Sequence, residues 1–89
     1  MGKDFDGKAK FLIKFGKNLD GLIRKKGFRS RDAFLKKTDL EIYKADLHRL
    51  IHGETDPQLS TLYKIAEALD VPVWELIPGF REATDKGYT

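Results

Sequence analysis

The stretch Leu40–Gly53, LEIYKADLHRLIHG, has two different edges when it is drawn as a helix. Its apolar residues recur at a spacing that keeps them on one side of the helix, and they are Leu40, Tyr43, Leu47, Leu50 and Ile51. The other edge is rich in hydrogen-bond donors and poor in bulk, and it comprises Lys44, Ala45, His48, Arg49 and His52. Gly53 can supply the left-handed residue that ends a helix. The pattern predicts a short helix with one side in a core and the other facing a ligand.

The composition fits one small domain with a modest core. The 89 residues include no cysteine, so we expect neither a disulfide framework nor a thiolate metal site. No apolar run has the length of a membrane span, and no hydrophobic signal core opens the chain, so we expect a cytoplasmic protein without membrane contact. We predict an N-terminal arm and the start of the first helix in residues 1–10, a helical domain in residues 11–78 and a tail in residues 79–89.

Charge is distributed unevenly along the chain. Residues 1–53 carry 14 Lys and Arg against 7 Asp and Glu, which gives +7, whereas residues 54–89 carry 3 against 7, which gives −4. A basic half that contains the donor-rich helix is typical of a protein with one side facing a polyanion. The alternative is that both charged halves are simply solvated surface.

The first helix is predicted to begin after Asp6, a possible N-cap, and to end at Gly27. Gly16 and Gly21 lie inside it, and each costs up to about 1 kcal/mol relative to alanine. We therefore expect another element to pack closely at these two glycines. The apolar residues that recur at helical spacing are Phe11, Leu12, Phe15, Leu19, Leu22 and Ile23.

Further helices follow without any strand pattern. Ser30 is a plausible N-cap for a second helix over residues 31–37, and the third helix begins near either Asp39 or Tyr43. Asp56 as cap and Pro57 as first residue predict a fourth helix that ends at Leu69. Its expected buried residues are Leu59, Leu62, Ile65, Ala66 and Leu69. A last short helix runs from Pro72 through Trp74 to Ile77. The fold class is therefore all-α with five helices.

A tight turn between the second and third of five short helices suggests a helix-turn-helix domain. Residues 56–77, DPQLSTLYKIAEALDVPVWELI, resemble the fourth and fifth helices of the Cro/cI (Xre-type, lambda-repressor-like) helix-turn-helix DNA-binding family, with its proline, its Ile-Ala-x-Ala-Leu and its final x-Glu-Leu. Residues 15–19 and 25–30 are similar to the first helix and the entry to the second. The resemblance covers about residues 11–78 and implies a five-helix transcriptional regulator that binds double-stranded DNA without a cofactor.

The chain departs from the family pattern in two places. Ser30 and Gly53 are 23 positions apart, about two more than is usual, so either the turn is longer or the third helix starts earlier. Family members often pair an arginine of the first helix with a glutamate of the third, and here Ile23 and Ile51 hold those positions. Replacing a buried ion pair by two apolar residues is tolerated, whereas leaving one charge alone is costly. We therefore predict that Ile23 contacts Ile51.

The resemblance also assigns site residues. Lys44, Ala45 and Arg49 occupy the usual base-facing positions of the third helix, which enters the major groove. Arg49 suits a bidentate pair with guanine, Lys44 suits guanine or phosphate, and Ala45 suits a thymine methyl. Arg31 matches a position that contacts phosphate or steadies the base-reading side chains. His48 and His52 are expected to donate to phosphate.

These assignments have alternatives in the sequence. Arg49 could instead be solvated or paired with Asp46 or Glu54, and Ala45 could be a spacer that favours helix. Asp46 repels phosphate, so it either accepts from a cytosine amine or caps the helix and orients its neighbours.

Two other functional classes fit parts of the sequence. His48 and His52 stand four positions apart, as metal ligands on a helix can, but Arg49 occupies the place where a metalloprotease has glutamate, so we expect no metal site and no enzyme. The stronger competitor is a protein-interaction module with weak or no DNA binding, such as an antitoxin that binds a toxin. The acidic residues that favour it are Asp32, Asp39, Glu41 and Asp46.

A regulator built from one small domain is expected to act as a homodimer on a two-fold symmetric operator.

Overall fold

The computed structural model describes residues 2–79, with side chains from residue 7 onward. Over this range the chain forms four α-helices, a short 3₁₀ helix and no strand. The helices are α1 (Gly2–Lys25), α2 (Arg31–Thr38), α3 (Lys44–Ile51), α4 (Leu59–Leu69) and the 3₁₀ helix Val73–Leu76. The predicted all-α fold is confirmed, with a 3₁₀ turn where a fifth α-helix was expected. Residues 80–89 of the predicted tail lie outside the described residues.

Helix α1 begins earlier than the sequence pattern indicated. It starts at Gly2, so the prediction that Asp6 caps it is wrong. No proline interrupts residues 2–10, so the sequence allows the helix to start this early. At the other end Arg24 and Lys25 occupy the last turn, and Gly27 has φ +93°, as expected for a glycine after a helix.

The turn between α2 and α3 is longer than the family spacing. Asp39 adopts the left-handed conformation, with φ 56°, and ends α2. Tyr43 is extended and precedes the first residue of α3, so the third helix begins at Lys44 and the additional residues belong to the turn. Tyr43 is 81% exposed because it lies ahead of the helix, and its predicted place on the buried side is wrong.

The start of α4 also differs from the prediction. Gln58 is the N-cap residue, and its carbonyl oxygen accepts from the backbone N–H of Leu62 at 3.1 Å. Pro57 therefore lies outside the helix, and Asp56 forms an ion pair with Lys8 of α1 at 3.3 Å instead of capping. As the first helical residue, Leu59 is 77% exposed, so its predicted burial is wrong. The other predicted core residues of this helix are buried, namely Leu62, Ile65, Ala66 and Leu69.

One apolar core joins all these elements. Its buried members are Phe15, Leu19, Ile23, Phe34, Leu47, Leu50, Ile51, Leu62, Ile65, Ala66, Leu69 and Leu76. Ile23 and Ile51 are 1% and 7% exposed, which is consistent with an apolar replacement of the family's ion pair. Their direct contact remains a prediction.

The end of α3 packs closely against the backbone of α1. A Cβ atom on Gly16 would meet the carbonyl oxygen of Ile51, and it would lie 2.7 Å from the carbonyl oxygen of Leu50. Gly53 has φ +73°, and a Cβ atom there would lie 2.9 Å from Cα of Ile13. The close approach predicted at Gly16 is confirmed. The one predicted at Gly21 is wrong, because a Cβ atom there would meet nothing within 4 Å.

Candidate nucleic-acid interface

Helix α3 separates its residues into a buried side and a polar edge. Leu47, Leu50 and Ile51 are buried against the other helices. The opposite edge carries every α3 residue predicted to face DNA: Lys44, Ala45, Arg49 and His52 are exposed, and His48 is half-buried. We call these five residues the polar edge of α3. The helix is thus anchored by one side and leaves its donors accessible to a ligand.

Arg31 joins the polar edge from α2. Its guanidinium Nη1 lies 2.6 Å from Nδ1 of His48. A guanidinium can only donate, so Nδ1 of His48 accepts and the ring proton resides on Nε2. Nε of Arg31 also lies 3.5 Å from Oδ1 of Asp20, which holds Arg24 through its other oxygen at 3.2 Å. Arg31 therefore steadies the imidazole while α1 steadies Arg31.

The two imidazoles of the polar edge lie side by side. The rings of His48 and His52 are nearly parallel, with an interplanar angle of 7° and centroids 6.1 Å apart. Among the described residues no group of three His, Cys, Asp or Glu side chains has an arrangement able to hold a metal ion.

Lys44, the first residue of α3, is bound to an acidic residue of α2. Its Nζ lies 2.9 Å from Oδ2 of Asp32, and both side chains are about half exposed. The hydrogen bond from Lys44 lowers the pKa of Asp32 below its ordinary value, assisted by the positive charges of Lys44 and Lys36. This pair links the starts of α2 and α3.

Arg49 is bound within α3 itself. Its Nη1 donates to Oδ1 of Asp46 at 2.7 Å, three positions earlier in the helix. Of the two acidic partners considered from the sequence, the structure selects Asp46 over Glu54. Asp46 thus orients a neighbouring side chain, which was one of its two predicted roles, and it also lies in the first turn, where the helix dipole favours a carboxylate.

Two acidic residues of this surface were not identified from the sequence as partners. The Asp20–Arg24 pair has i,i+4 spacing and could have been found from the sequence alone. The contacts of Asp20 with Arg31 and of Asp32 with Lys44 join different helices, so only the packing of those helices reveals them.

With this geometry in place, the chain was compared with known proteins. A model of the Cro/C1-type HTH DNA-binding domain matches residues 18–78, well over half of the chain. The chain belongs to this family. The match begins inside α1 and continues past the 3₁₀ helix, so it includes the polar edge of α3 together with α2 and α4. Comparisons with curated proteins and with solved structures gave no match.

Membership in the Cro/C1-type HTH DNA-binding family supports DNA as the partner of this domain, and such families are typically non-enzymatic. Among the helices of residues 2–79, none combines the length and the apolar character needed to cross a lipid bilayer.

Proposed function

We propose that this Cro/C1-type domain is a sequence-specific transcriptional regulator that places α3 in the major groove of its operator. The observation that carries the proposal is the polar edge of α3, of which Lys44, Ala45, Arg49 and His52 are exposed and His48 is half-buried, while the other side of the same helix is buried. A helix held in this way can enter the groove without losing its packing. The cytoplasm is the expected location.

Each residue of the edge has a role that its chemistry supports. Arg49 carries a planar fork of donors that matches O6 and N7 of guanine. Lys44 can reach guanine or a phosphate, and Ala45 is small enough to touch a thymine methyl. These three residues are exposed, as base contacts require.

The remaining residues suit the DNA backbone. Arg31 begins α2, where backbone N–H groups and the helix dipole also favour an anion. Because Nδ1 of His48 accepts from Arg31, its Nε2–H remains available to a phosphate oxygen. His52, exposed and one turn further along, is placed to donate in the same way. Contacts of this kind set the register of the protein on the duplex.

A homodimer on a two-fold symmetric operator is the assembly we propose. A single domain with one short recognition helix makes few base contacts, so joining two copies on one site raises both affinity and selectivity. The two half-sites would then lie about one helical turn of DNA apart.

The second candidate is a protein-interaction module, such as an antitoxin that binds a toxin, with weak or no DNA binding. The observation that favours it is the acidity of the same surface: Lys44 and Arg49 are each already bound to a carboxylate, of Asp32 and Asp46 respectively. The basic side chains of a partner protein could pair with these carboxylates, whereas the carboxylates repel a phosphate.

Fluorescence anisotropy across a salt series separates the two functions. The purified chain is titrated with labelled DNA from upstream of its own gene and with a shuffled duplex of the same composition. A regulator binds the upstream DNA more tightly, and log K falls with log salt by about 0.9 for each phosphate contact. Equally weak binding to both duplexes at low salt would favour the interaction module.

Variants test the residue assignments. Arg49→Ala and Lys44→Ala are expected to weaken binding with little change in the melting temperature, because both side chains are exposed and an exposed ion pair contributes little to stability. Lys64→Ala, which removes an exposed lysine from α4, is the charge-matched control and should bind as the parent does. If Arg49→Ala and Lys44→Ala bind as tightly as Lys64→Ala, the polar edge of α3 is not the DNA-binding surface.

A further inference from the structure

We propose that Asp46 is a positioning residue for sequence specificity: it holds the guanidinium of Arg49 in the orientation that reads one guanine in each half-site. The inference rests on the proposed function and extends it, because it assigns a DNA-reading role to a residue that phosphate would repel.

The geometry of the pair supports this role. The bond from Nη1 of Arg49 to Oδ1 of Asp46 is 2.7 Å long, within the range of a charge-assisted hydrogen bond. It uses one of the several N–H donors of the guanidinium, so a pair of donors remains for O6 and N7 of guanine. Both side chains are about half exposed, at 55% and 50%, so the face of the guanidinium that is not bound to Asp46 is accessible.

The ion pair alone does not explain a carboxylate at this DNA-facing position. An exposed ion pair within one helix stabilises a protein very little, while a negative charge on a DNA-facing surface weakens binding to any duplex. A residue that reduces general affinity can still increase selectivity, since an arginine that is not held can turn to the nearest phosphate. Restricting Arg49 to one orientation removes that option.

The second ion pair of this surface provides a contrast. Asp32 binds Lys44 at a similar distance of 2.9 Å, but it joins two helices and its partner is an ammonium group. An ammonium is a compact point charge without a planar fork, so holding it does not align donors with one base edge. The orienting role is therefore specific to Asp46.

The test begins with an operator selected by the parent protein from a pool of randomised duplexes. Binding is then measured by anisotropy to this operator and to the same duplex in which 7-deazaguanine replaces, one position at a time, each guanine of a half-site. This replacement removes N7 and keeps base pairing, and the guanine whose replacement weakens binding by the parent but not by Arg49→Ala is the one that Arg49 reads. The ratio of the two dissociation constants reports how well Arg49 reads that guanine.

Three variants are compared with the parent. Asp46→Ala should reduce the ratio by at least about threefold, a part of the discrimination that one bidentate contact gives, while its binding to shuffled DNA is unchanged or tighter. Asp46→Asn retains an oxygen that accepts from Arg49, so it should keep the ratio. Glu41→Ala removes one negative charge from the neighbouring turn, where Glu41 is exposed and makes no side-chain bond to any described residue, and it should also keep the ratio.

The possible failures are distinguishable. If Arg49→Ala lowers the ratio of dissociation constants to one and Asp46→Ala leaves it unchanged, the role of Asp46 is refuted and the proposed function stands. A lower melting temperature of Asp46→Ala with an unchanged ratio would show that Asp46 serves only the helix dipole. If the parent selects no sequence from the pool, the proposed function and this inference fail together.

Discussion

Substitution of Gly16 by alanine tests whether backbone packing between α1 and α3 holds α3 in place. The added methyl group would meet the carbonyl oxygen of Ile51, and it would lie 2.6 Å from the carbonyl carbon of Ile51 and 2.7 Å from the oxygen of Leu50. Cβ atoms essentially never approach another heavy atom within 3.0 Å, so these last two atoms alone must withdraw by 0.3–0.4 Å or more. All three atoms belong to the backbone, so no side-chain rotation relieves the overlap.

The expected cost follows from these distances. Overpacking a close contact costs about 1–3 kcal/mol and more when the neighbour is rigid, whereas alanine returns up to about 1 kcal/mol of helix propensity. We expect a net loss of about 2 kcal/mol, which in a domain of this size lowers the melting temperature by about 8–16 °C. Thermal unfolding followed by circular dichroism measures this change.

Gly21→Ala is the matched control, because Gly21 lies in the same helix and its added methyl group meets nothing within 4 Å. It should melt at the same temperature as the parent or up to a few degrees higher, since it gains helix propensity without a clash. If Gly16→Ala melts as high as Gly21→Ala, the two helices do not pack backbone to backbone and the reasoning is wrong.

Three further predictions concern single side chains. Lys44→Ala should return the pKa of Asp32 toward its ordinary value in an NMR titration. The pair lowers that pKa in the folded state, so its contribution to stability is present above the ordinary pKa. This contribution is lost as the pH falls through the lowered pKa. An unchanged pKa in this variant would contradict the pairing. Ser30→Ala should cost about 1 kcal/mol in urea unfolding, because its hydroxyl oxygen accepts from the N–H of the third residue of α2 at 3.1 Å, and a smaller loss than about 0.5 kcal/mol would indicate that this cap is dispensable. Ile23→Asp should leave the chain unfolded by circular dichroism, since it buries an unpaired carboxylate. Ile23→Val should lower the free energy of unfolding by only about 1 kcal/mol. A folded Ile23→Asp would show that this end of the core admits water.

The sequence determined the fold class because its apolar spacing and its glycines are local signals. The periodicity of Leu47, Leu50 and Ile51 predicted the buried side of α3, and the structure buries all three. Apart from the close approach expected at Gly21, the errors arose at helix ends. Tyr43 and Leu59 each fit the apolar spacing of the following helix, but each stands at a helix start, where the side chain projects past the neighbouring elements and remains exposed.

The sequence predicted which donors share the polar edge of α3, but it did not predict their hydrogen bonds to other side chains. Residue type and spacing identified the donors of α3, and the resemblance to a known family added Arg31. The bond between Lys44 and Asp32 depends on the angle between α2 and α3, and no sequence spacing encodes that angle. Likewise the spacing within α3 allows Arg49 to reach Asp46, but only the structure shows that it does so in preference to Glu54.

The ion pairs of the free protein also affect how strongly this surface attracts DNA from a distance. A cation with a carboxylate beside it acts on a distant phosphate as a small dipole, and the attraction of a dipole decreases with distance faster than that of a lone charge. Lys44, Arg49 and Arg31 all have such a partner, so the excess positive charge of the N-terminal half overstates the pull of this surface. A regulator with this surface would leave random DNA sooner and keep a larger share of its copies free to find the few sites that match.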